Sequence, residues 1–260
     1  MLRIIADDFG LIKSVNDGIV FLLKEGKISG ASLMANGEAF EDAIAQLSGI
    51  QTANVGAHLV LVEEKSLSGM NLPKNHRTFF VRYILGLIKL SDIEKELRAQ
   101  IKKITNAGVK INFVNSHQHL HLLPGIMGIV IKLAKEYQVP HIRLVNEVVF
   151  IPRSYYKYDI LFSKFFRILQ LFFLRFLSRL AKKQIQKAGL QCNDFFVGFV
   201  NAGSLSESDI KYAKNLAEKY PDKIIELGCH PGYEGEELKR KYKHWGNYNW
   251  EKEINLFKQI

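Results

Sequence analysis

The sequence predicts an α/β fold, an irregular (β/α) barrel of about seven parallel strands joined by helices. Short apolar segments alternate along the chain with longer amphipathic segments, which is the order typical of a parallel sheet. Seven strand candidates favour a closed or nearly closed barrel over an open sheet. Neither an internal repeat nor a low-complexity linker divides residues 1–260, so we expect one domain with a helical insertion at about 155–190.

Each predicted strand is a short apolar run bounded by polar or turn-forming residues. The predicted strands are Leu2–Ala6, Ser29–Ala35, Asn54–Leu61, Ile111–Asn115, His141–Val145, Phe195–Val200 and Ile224–Leu227. The segments between them carry apolar residues at helical spacing. The predicted helices are Ser14–Glu25, Ala39–Leu47, Ser91–Ala107, Gly125–Tyr137, Glu207–Lys219 and Asn249–Lys258.

Composition narrows the classes of partner and compartment. The formal net charge of +10 suits nucleic acid, anionic lipid or an anionic substrate equally well. The two cysteines, Cys192 and Cys229, form no CxxC pair, so a reducing compartment fits best, with one disulfide as the alternative. Acids occur from position 7, before any signal-like apolar run, and no run of 18 apolar residues follows. We therefore expect a cytoplasmic protein without a membrane-spanning helix.

Polar side chains that suit catalysis or binding lie at or near the ends of the predicted strands. In chain order they are Asp7, Asp8, Asn36, His58, His117, His119, His121, Arg143, Asn201 and His230. In parallel α/β barrels the chemistry gathers at the carboxyl ends of the strands. The sequence therefore predicts that these side chains converge at one end of the barrel.

The segment "NSHQHLH", residues 115–121, places three histidines at alternate positions. They share one face only if the segment stays extended, and they fan out if it turns toward the next helix. Imidazole and carboxylate together are a common ligand set for a hydrolytic divalent ion. One carboxylate of Asp7 and Asp8, His58 and one histidine of this cluster would leave a coordination position for water. The alternative is a polar loop with one capping histidine.

The adjacent acids Asp7 and Asp8 end the first predicted strand. Neighbouring residues of an extended strand point to opposite faces, so the two carboxylates are expected to have different tasks. The alternative is that the pair caps the helix that starts near Ser14. Arg143 is a candidate to keep Asp7 ionised by pairing with it, and an ordinary salt bridge is the alternative.

Five motifs in order, "ADDFG", "GAHLVL", "SHQHLHLLPG", "IRLVNE" and "CHPG", resemble those of the YdjC/ChbG-like carbohydrate deacetylases. The resemblance runs from residue 2 to about residue 240. It implies a TIM-barrel-like fold and the removal of acetyl groups from N-acetylated sugars with one divalent metal ion. Zn²⁺ and Mg²⁺ both remain open, although two histidines and one aspartate favour zinc.

The resemblance also implies roles for individual residues. Asp8, His58 and His117 would bind the metal, Asp7 would be the general base, and His230 would be the general acid. The remaining pocket candidates, expected to contact the substrate, are His119, His121, Asn36 and Asn201. One departure is Asn115, which stands where the family usually has aspartate. Asparagine still accepts a hydrogen bond from a metal-ligating histidine, but without a charge.

Residues 155–190 combine a wide apolar face with basic residues of a single sign. Six phenylalanines occur between Ile160 and Leu180, and no acid occurs between Asp159 and Asp194. This pattern is typical of helices that lie in a membrane interface. The alternative is a helix packed against the barrel or a second subunit of a homo-oligomer. The membrane interpretation favours an N-acetylhexosamine on a polyprenyl phosphate, at the inner face of the cytoplasmic membrane, over a soluble chitooligosaccharide.

Two further function classes compete with the deacetylase interpretation. The basic segment "KRKYKHW", residues 239–245, sets Tyr242 and Trp245 among positive charges, as some nucleic-acid-binding proteins do. No nucleic-acid-binding motif accompanies it, so we expect no nucleic-acid partner. The other alternative is a metal-binding barrel without activity, against which the presence of Asp7 argues.

Overall fold

The computed structural model describes residues 1–50, 54–147, 158–246 and 248–259, with side chains of the long helix described from residue 166 onward. Eight parallel strands form one sheet in the order β6-β5-β4-β3-β2-β1-β8-β7. The strands are β1 (Leu2–Phe9), β2 (Gly30–Leu33), β3 (Asn54–Leu59), β4 (Phe113–Ser116), β5 (His141–Ile142), β6 (Gln191–Cys192), β7 (Phe195–Val197) and β8 (Ile225–Cys229).

The sheet curls so that its two ends approach each other. Glu147, a few residues beyond β5, forms a parallel bridge with Phe196 of β7, which lies at the other end of the strand order. This contact confirms the predicted barrel-like α/β fold. All seven predicted strands are present, and β6 is an additional strand of two residues, too short to give an apolar pattern. Cys192 of β6 and Cys229 of β8 are both free thiols.

Helices connect most of the strands and cover the outside of the barrel. They are α1 (Lys13–Lys24), α2 (Phe40–Leu47), α3 (His76–Ile84), α4 (Leu90–Asn106), α5 (Ile126–Glu136), α6 (Tyr158–Lys187), α7 (Glu207–Lys219), α8 (Glu236–Lys241) and α9 (Trp250–Lys258). The six predicted helices are confirmed to within one residue at each end. The helices α3 and α8 were not predicted.

The helix α6 connects β5 to β6, so the predicted helical insertion is the crossover between two neighbouring parallel strands. Its inner face packs on the barrel through Leu171, Leu177, Ala181 and Ile185, all of which are buried. Its outer face is apolar too, but exposed. From residue 166 onward, the exposed apolar residues of α6 are Phe166, Leu169, Phe172, Phe173, Phe176 and Leu180.

In the described part of the chain, no helix combines the length and the apolar character that crossing a membrane requires.

Candidate functional site

The two adjacent acids at the end of β1 reach the same pocket because the strand is irregular there. The pairing register between β1 and β2 shifts between Ala6 and Phe9, and Asp8 has a left-handed backbone, with φ at 64°. The Oδ1 atom of Asp7 lies 4.0 Å from Nδ1 of His58, while Oδ1 of Asp8 lies 3.2 Å from Nε2 of the same ring. The two carboxylates therefore face opposite sides of one imidazole.

The acid pair does not cap α1. That helix begins at Lys13, and its N-cap is Ile12, which makes no side-chain cap hydrogen bond to the described first turn. The two aspartates are instead buried beside His58.

Asp8, His58 and His117 form a cluster that can hold a metal ion. One ligand atom from each lies within 4.8 Å of the others, and Oδ1 of Asp8 is 3.3 Å from Nδ1 of His117. All three side chains are buried. Among the described residues, both carboxylate oxygens of Asp8 and Nε2 of His58 lack a hydrogen-bond partner. Because unpaired buried polar atoms are unfavourable, these residues fit a bound cation.

Asn115, the residue that departs from the family pattern, contacts His58 of this cluster and also Asp7 beside it. Oδ1 of Asn115 lies 2.7 Å from Nδ1 of His58, and because an amide oxygen only accepts, His58 donates at Nδ1. That tautomer leaves the lone pair of Nε2 directed at Asp8. The amide nitrogen of Asn115 donates to Oδ1 of Asp7 at 3.0 Å and to Oγ of Ser32 at 3.1 Å. Aspartate at this position could accept from His58 but could not donate to Asp7.

Asp7 is held as a carboxylate by a dense set of donors. The Arg143 guanidinium binds both of its oxygens, with one contact of 2.9 Å to Oδ1, and Ser32 donates to the same oxygen at 2.7 Å. Burial alone would raise the pKa of Asp7, but the positive charge of Arg143 holds it well below its usual value. The predicted pairing of Arg143 with Asp7 is therefore present. Arg143 is fully buried and also binds Glu226.

Glu63 is a pocket residue that the sequence did not indicate. Its backbone is left-handed, with φ at 72°, and its Oε2 lies 3.5 Å from Nε2 of His117. Trp245 donates to the same oxygen at 2.6 Å and stacks its ring on His117, with centroids 5.1 Å apart. His117 thus lies between two carboxylates. Burial would lower the pKa of His117, but Asp8 and Glu63 raise it to about 10.

The three histidines of "NSHQHLH" have three different surroundings because the chain turns after β4. Gln118 and His119 both have φ of 55°, so the segment is not extended. His117 faces Asp8, and His119 lines the pocket against the rings of Phe196 and Phe199. The ring of His121 is held between Oγ of Ser116 at 2.7 Å and the carbonyl of Arg143 at 2.9 Å.

The pocket has a volume of about 400 Å³ and is lined by residues from distant parts of the chain. Asp7, His58, His117, His119 and His230 all line it. The predicted convergence of strand-end side chains is thus seen for these five.

His230 lies beside Tyr248, an aromatic residue outside the five sequence motifs. Its Nε2 is 3.5 Å from the hydroxyl of Tyr248, whose ring also lines the pocket. Among the described residues, Nδ1 of His230 has no hydrogen-bond partner.

Three predicted substrate contacts have protein partners and do not line the pocket. The side-chain amide of Asn36 donates to the carbonyl of Lys65 at 3.0 Å, and that of Asn201 donates to Asp209 at 2.6 Å. His121 is the third, and its ring is held by Ser116 and by the carbonyl of Arg143. Their roles in substrate binding, like the catalytic roles of Asp7, Arg143 and His230, stay predictions.

Two helices form part of the pocket rim. Residues at the start of α3, His76 and Arg77, line the pocket together with Phe166, Arg167 and Gln170 of α6. The guanidinium of Arg167 donates to the carbonyls of Val200 at 3.3 Å and Ala202 at 3.1 Å. Arg167 therefore lies at the mouth of the pocket, held by two backbone carbonyls.

The aromatic residues of the basic segment 239–245 face the site. The Tyr242 hydroxyl donates to Glu64 at 2.9 Å, and Trp245 contacts Glu63 and His117 as described. These contacts hold Tyr242 and Trp245 against two acidic side chains beside the site.

Comparison with known proteins identifies relatives along the chain. A protein of Brevibacillus brevis named carbohydrate deacetylase is 42% identical over 139 residues, which cover 52% of this chain and 56% of the relative. A protein of Escherichia fergusonii named chitooligosaccharide deacetylase is 34% identical over 158 residues, covering 58% of this chain and 61% of the relative. The matched regions thus span little more than half the length of these relatives.

Among solved structures, a protein of Enterococcus faecalis V583 named for cellobiose-phosphate cleavage superposes with a TM-score of 0.71. It is 20% identical, and the match covers 98% of this chain and 89% of that protein, so it supports the fold alone. The model of the family described as YdjC-like protein matches residues 1–259. The chain therefore belongs to the YdjC-like family.

Proposed function

We propose that this protein is a metal-dependent N-deacetylase that hydrolyses the acetamido group of an N-acetylhexosamine. The observation that carries the proposal is the contrast at His58. On one side Asp8 has both oxygens unpaired among the described residues, and on the other Asp7 is held by Arg143, Ser32 and Asn115. The first arrangement suits a cation, and the second suits a fixed base.

Asp8, His58 and His117 would hold the ion, and three protein ligands leave a position for water or substrate. A bound divalent ion would supply a more acidic water and polarise the acetyl carbonyl. The ligand set of two histidines and one aspartate favours Zn²⁺, with Mg²⁺ as the alternative.

Asp7 would take a proton from the attacking water. Its Oδ1 accepts three hydrogen bonds, from Ser32, Asn115 and Arg143, whereas Oδ2 accepts one from Arg143. Oδ2 is therefore the oxygen with capacity for a proton. As the water oxygen bonds to the acetyl carbon and the C–N bond breaks, His230 would protonate the departing amine, leaving acetate and a free amino sugar.

The substrate we favour is an N-acetylhexosamine carried on a polyprenyl phosphate, met at the inner face of the cytoplasmic membrane. Its support is the exposed apolar face of α6, a helix that also supplies Phe166, Arg167 and Gln170 to the pocket rim. A long hydrocarbon chain needs an apolar surface beside the site, and a phosphate needs a nearby cation such as Arg77.

A soluble chitooligosaccharide is the second candidate substrate. The aromatic rings of Phe199, Trp245 and Tyr248 line the pocket and offer apolar faces against which sugar rings can pack. The relative from Escherichia fergusonii named chitooligosaccharide deacetylase is in line with this alternative. A barrel that binds metal without catalysis is less consistent with the buried Asp7, whose carboxylate is held in place by Arg143, Ser32 and Asn115.

Acetate release tests the proposal directly. The protein, loaded with Zn²⁺ or Mg²⁺ after chelation, would be incubated with N-acetylglucosamine oligomers and with a polyprenyl-phosphate-linked N-acetylhexosamine in detergent micelles. We expect metal-dependent acetate release, faster on the lipid-linked sugar. Release from the oligomers alone would favour the soluble alternative, and none from either substrate would contradict the deacetylase proposal.

A further inference from the structure

The exposed apolar side chains of this protein are concentrated in two segments. Fifteen large apolar residues are exposed in the described part of the chain, and twelve of them lie within residues 80–90 and 166–180. Six are on α6, as given above. The other six are Phe80, Val81, Ile84, Leu85, Leu87 and Leu90. Isolated exposed apolar residues are ordinary, whereas a contiguous group marks an interaction surface.

The two segments lie together in the fold although about 80 residues separate them in sequence. The rings of Phe80 on α3 and Phe173 on α6 meet edge to face, with centroids 6.0 Å apart. We refer to residues 80–90 and the outer face of α6 as the apolar rim. The apolar rim adjoins the pocket, because both of its helices also contribute residues to the pocket lining. These are His76 and Arg77 of α3 and Gln170 of α6.

The positive charge of the two rim segments favours an anionic lipid surface over other partners. The sequence contains no aspartate or glutamate from Lys65 to Ser91 or from Ile160 to Asn193, although 12 lysines and arginines occur in these two stretches. Arg82, Lys89 and Arg179 are exposed and form no ion pair with a described acid. A second copy of this basic rim would be repelled, whereas anionic headgroups would be attracted.

We propose that residues 80–90 and the outer face of α6 together bind an anionic bilayer and hold the pocket mouth at its surface. The turn of residues 84–90 and the side chains of Phe172, Phe176 and Leu180 enter the boundary between headgroups and acyl chains. Arg82, Lys89 and Arg179 contact the headgroups. The inference rests on the proposed function only in that it places a lipid-linked substrate within reach of the pocket.

Flotation with vesicles tests this surface. The full-length protein would be mixed with vesicles of phosphatidylcholine containing about one third phosphatidylglycerol, or of phosphatidylcholine alone. The turn variant carries Ile84→Ser, Leu85→Ser and Leu87→Ser, and the helix variant carries Phe172→Ser, Phe176→Ser and Leu180→Ser. A control variant carries Phe21→Ser and Leu67→Ser, two exposed apolar residues outside the rim.

We expect the wild type and the control to bind anionic vesicles and bind neutral ones weakly. Each rim variant should bind at least about tenfold more weakly, because each removes three large apolar side chains from the interface. In the otherwise wild-type protein, replacing Arg82 or Arg179 by glutamine should weaken vesicle binding by roughly fivefold for each residue replaced.

Three results would overturn the inference. The first is vesicle binding that only the helix variant loses, since the turn would then have no part in the surface. The second is absence of binding by the wild type. The third is a concentration-dependent dimer in sedimentation velocity that both rim variants abolish, because the rim would then bind a second copy.

Acetate release from soluble N-acetylglucosamine oligomers separates this inference from the proposed function. The rim variants leave the pocket residues unchanged, so their rate on that substrate should equal that of the wild type. Vesicle binding without acetate release from any sugar would refute the deacetylase proposal and leave the membrane surface supported.

Discussion

The buried polar residues around His58, which we call the floor of the pocket, and the apolar rim beside the pocket are built in opposite ways. At the floor, polar side chains are buried, and Asp7, Ser32 and Asn115 hydrogen-bond to one another. At the rim, Ile84, Leu85 and Phe172 are more than half exposed, at 65%, 65% and 56%. Charged groups are thus buried at the floor, whereas apolar groups are exposed to water at the rim. On the proposed function, the floor would carry out the reaction, and the rim would determine where the substrate is met.

The strongest test of the floor is the loss of one metal ligand. Changing His117 to alanine should abolish metal binding and acetate release, because Asp8 and His58 alone provide too few ligands for a catalytic ion. Metal content after gel filtration and acetate release would be measured, with circular dichroism to verify the fold. His119→Ala removes a histidine of the same turn that lies outside the ligand cluster, so this control variant should keep the metal. Stoichiometric metal in His117→Ala would remove this residue from the ligand set.

Asp7 provides the next largest effect. Asp7→Asn should retain the metal but lower turnover by about 10²–10⁴-fold, since the amide cannot take the proton from water. Metal content and single-turnover acetate release would be compared with those of the wild type. A metal-loaded variant with unchanged turnover would show that Asp7 is not the base.

Part of the floor could be predicted from the sequence, for physical reasons. Asp8, His58 and His117 lie at the carboxyl ends of β1, β3 and β4, where a parallel barrel brings side chains together. The left-handed conformation of Asp8 was not accessible, because an apolar run that ends in two acids also fits a regular strand. Glu63 was missed for the same reason, since its contact with His117 depends on a loop backbone with positive φ.

Only the α6 half of the apolar rim was predicted from the sequence. The phenylalanines of α6 stand out in the sequence, but α3 buries only Phe79, and its other apolar residues do not fall on one narrow helical stripe. A local signal did exist, because the side chain of Asn75 caps α3 by accepting from the amide of Thr78 at 2.9 Å. The meeting of α3 with α6 is a long-range contact that the local pattern of neither segment contains.

Asn115 offers a moderate change that sharpens the contrast between the two sides of His58. Asn115→Asp should strengthen metal binding by about tenfold, because a charged acceptor makes His58 a better ligand. It also replaces the donor to Oδ1 of Asp7 by a negative charge at about the same position, 3.0 Å away. That charge raises the pKa of Asp7, so the acidic limb of the kcat/KM profile should move to higher pH.

Competition with a chelating dye and pH–rate profiles would measure these two effects of Asn115→Asp separately. Ser32→Ala serves as a matched control, because it removes another donor to Asp7 without adding a charge. Tighter metal binding with an unmoved acidic limb would mean that Asp7 does not titrate in the free enzyme's profile.

The smallest expected effect concerns two neighbouring residues of α6 and tests whether the rim is a free surface. Leu171 is fully buried against the barrel, whereas Phe172 is 56% exposed. Leu171→Ala should lower the free energy of unfolding by about 2–5 kcal/mol, because it leaves a cavity in a packed interior. Phe172→Ser should change it by only about 0.5 kcal/mol or less, as surface substitutions do. Urea unfolding at low protein concentration would measure both. If Phe172→Ser were as destabilising as Leu171→Ala, the outer face of α6 would be part of a packed interface, and the contrast between floor and rim would fail.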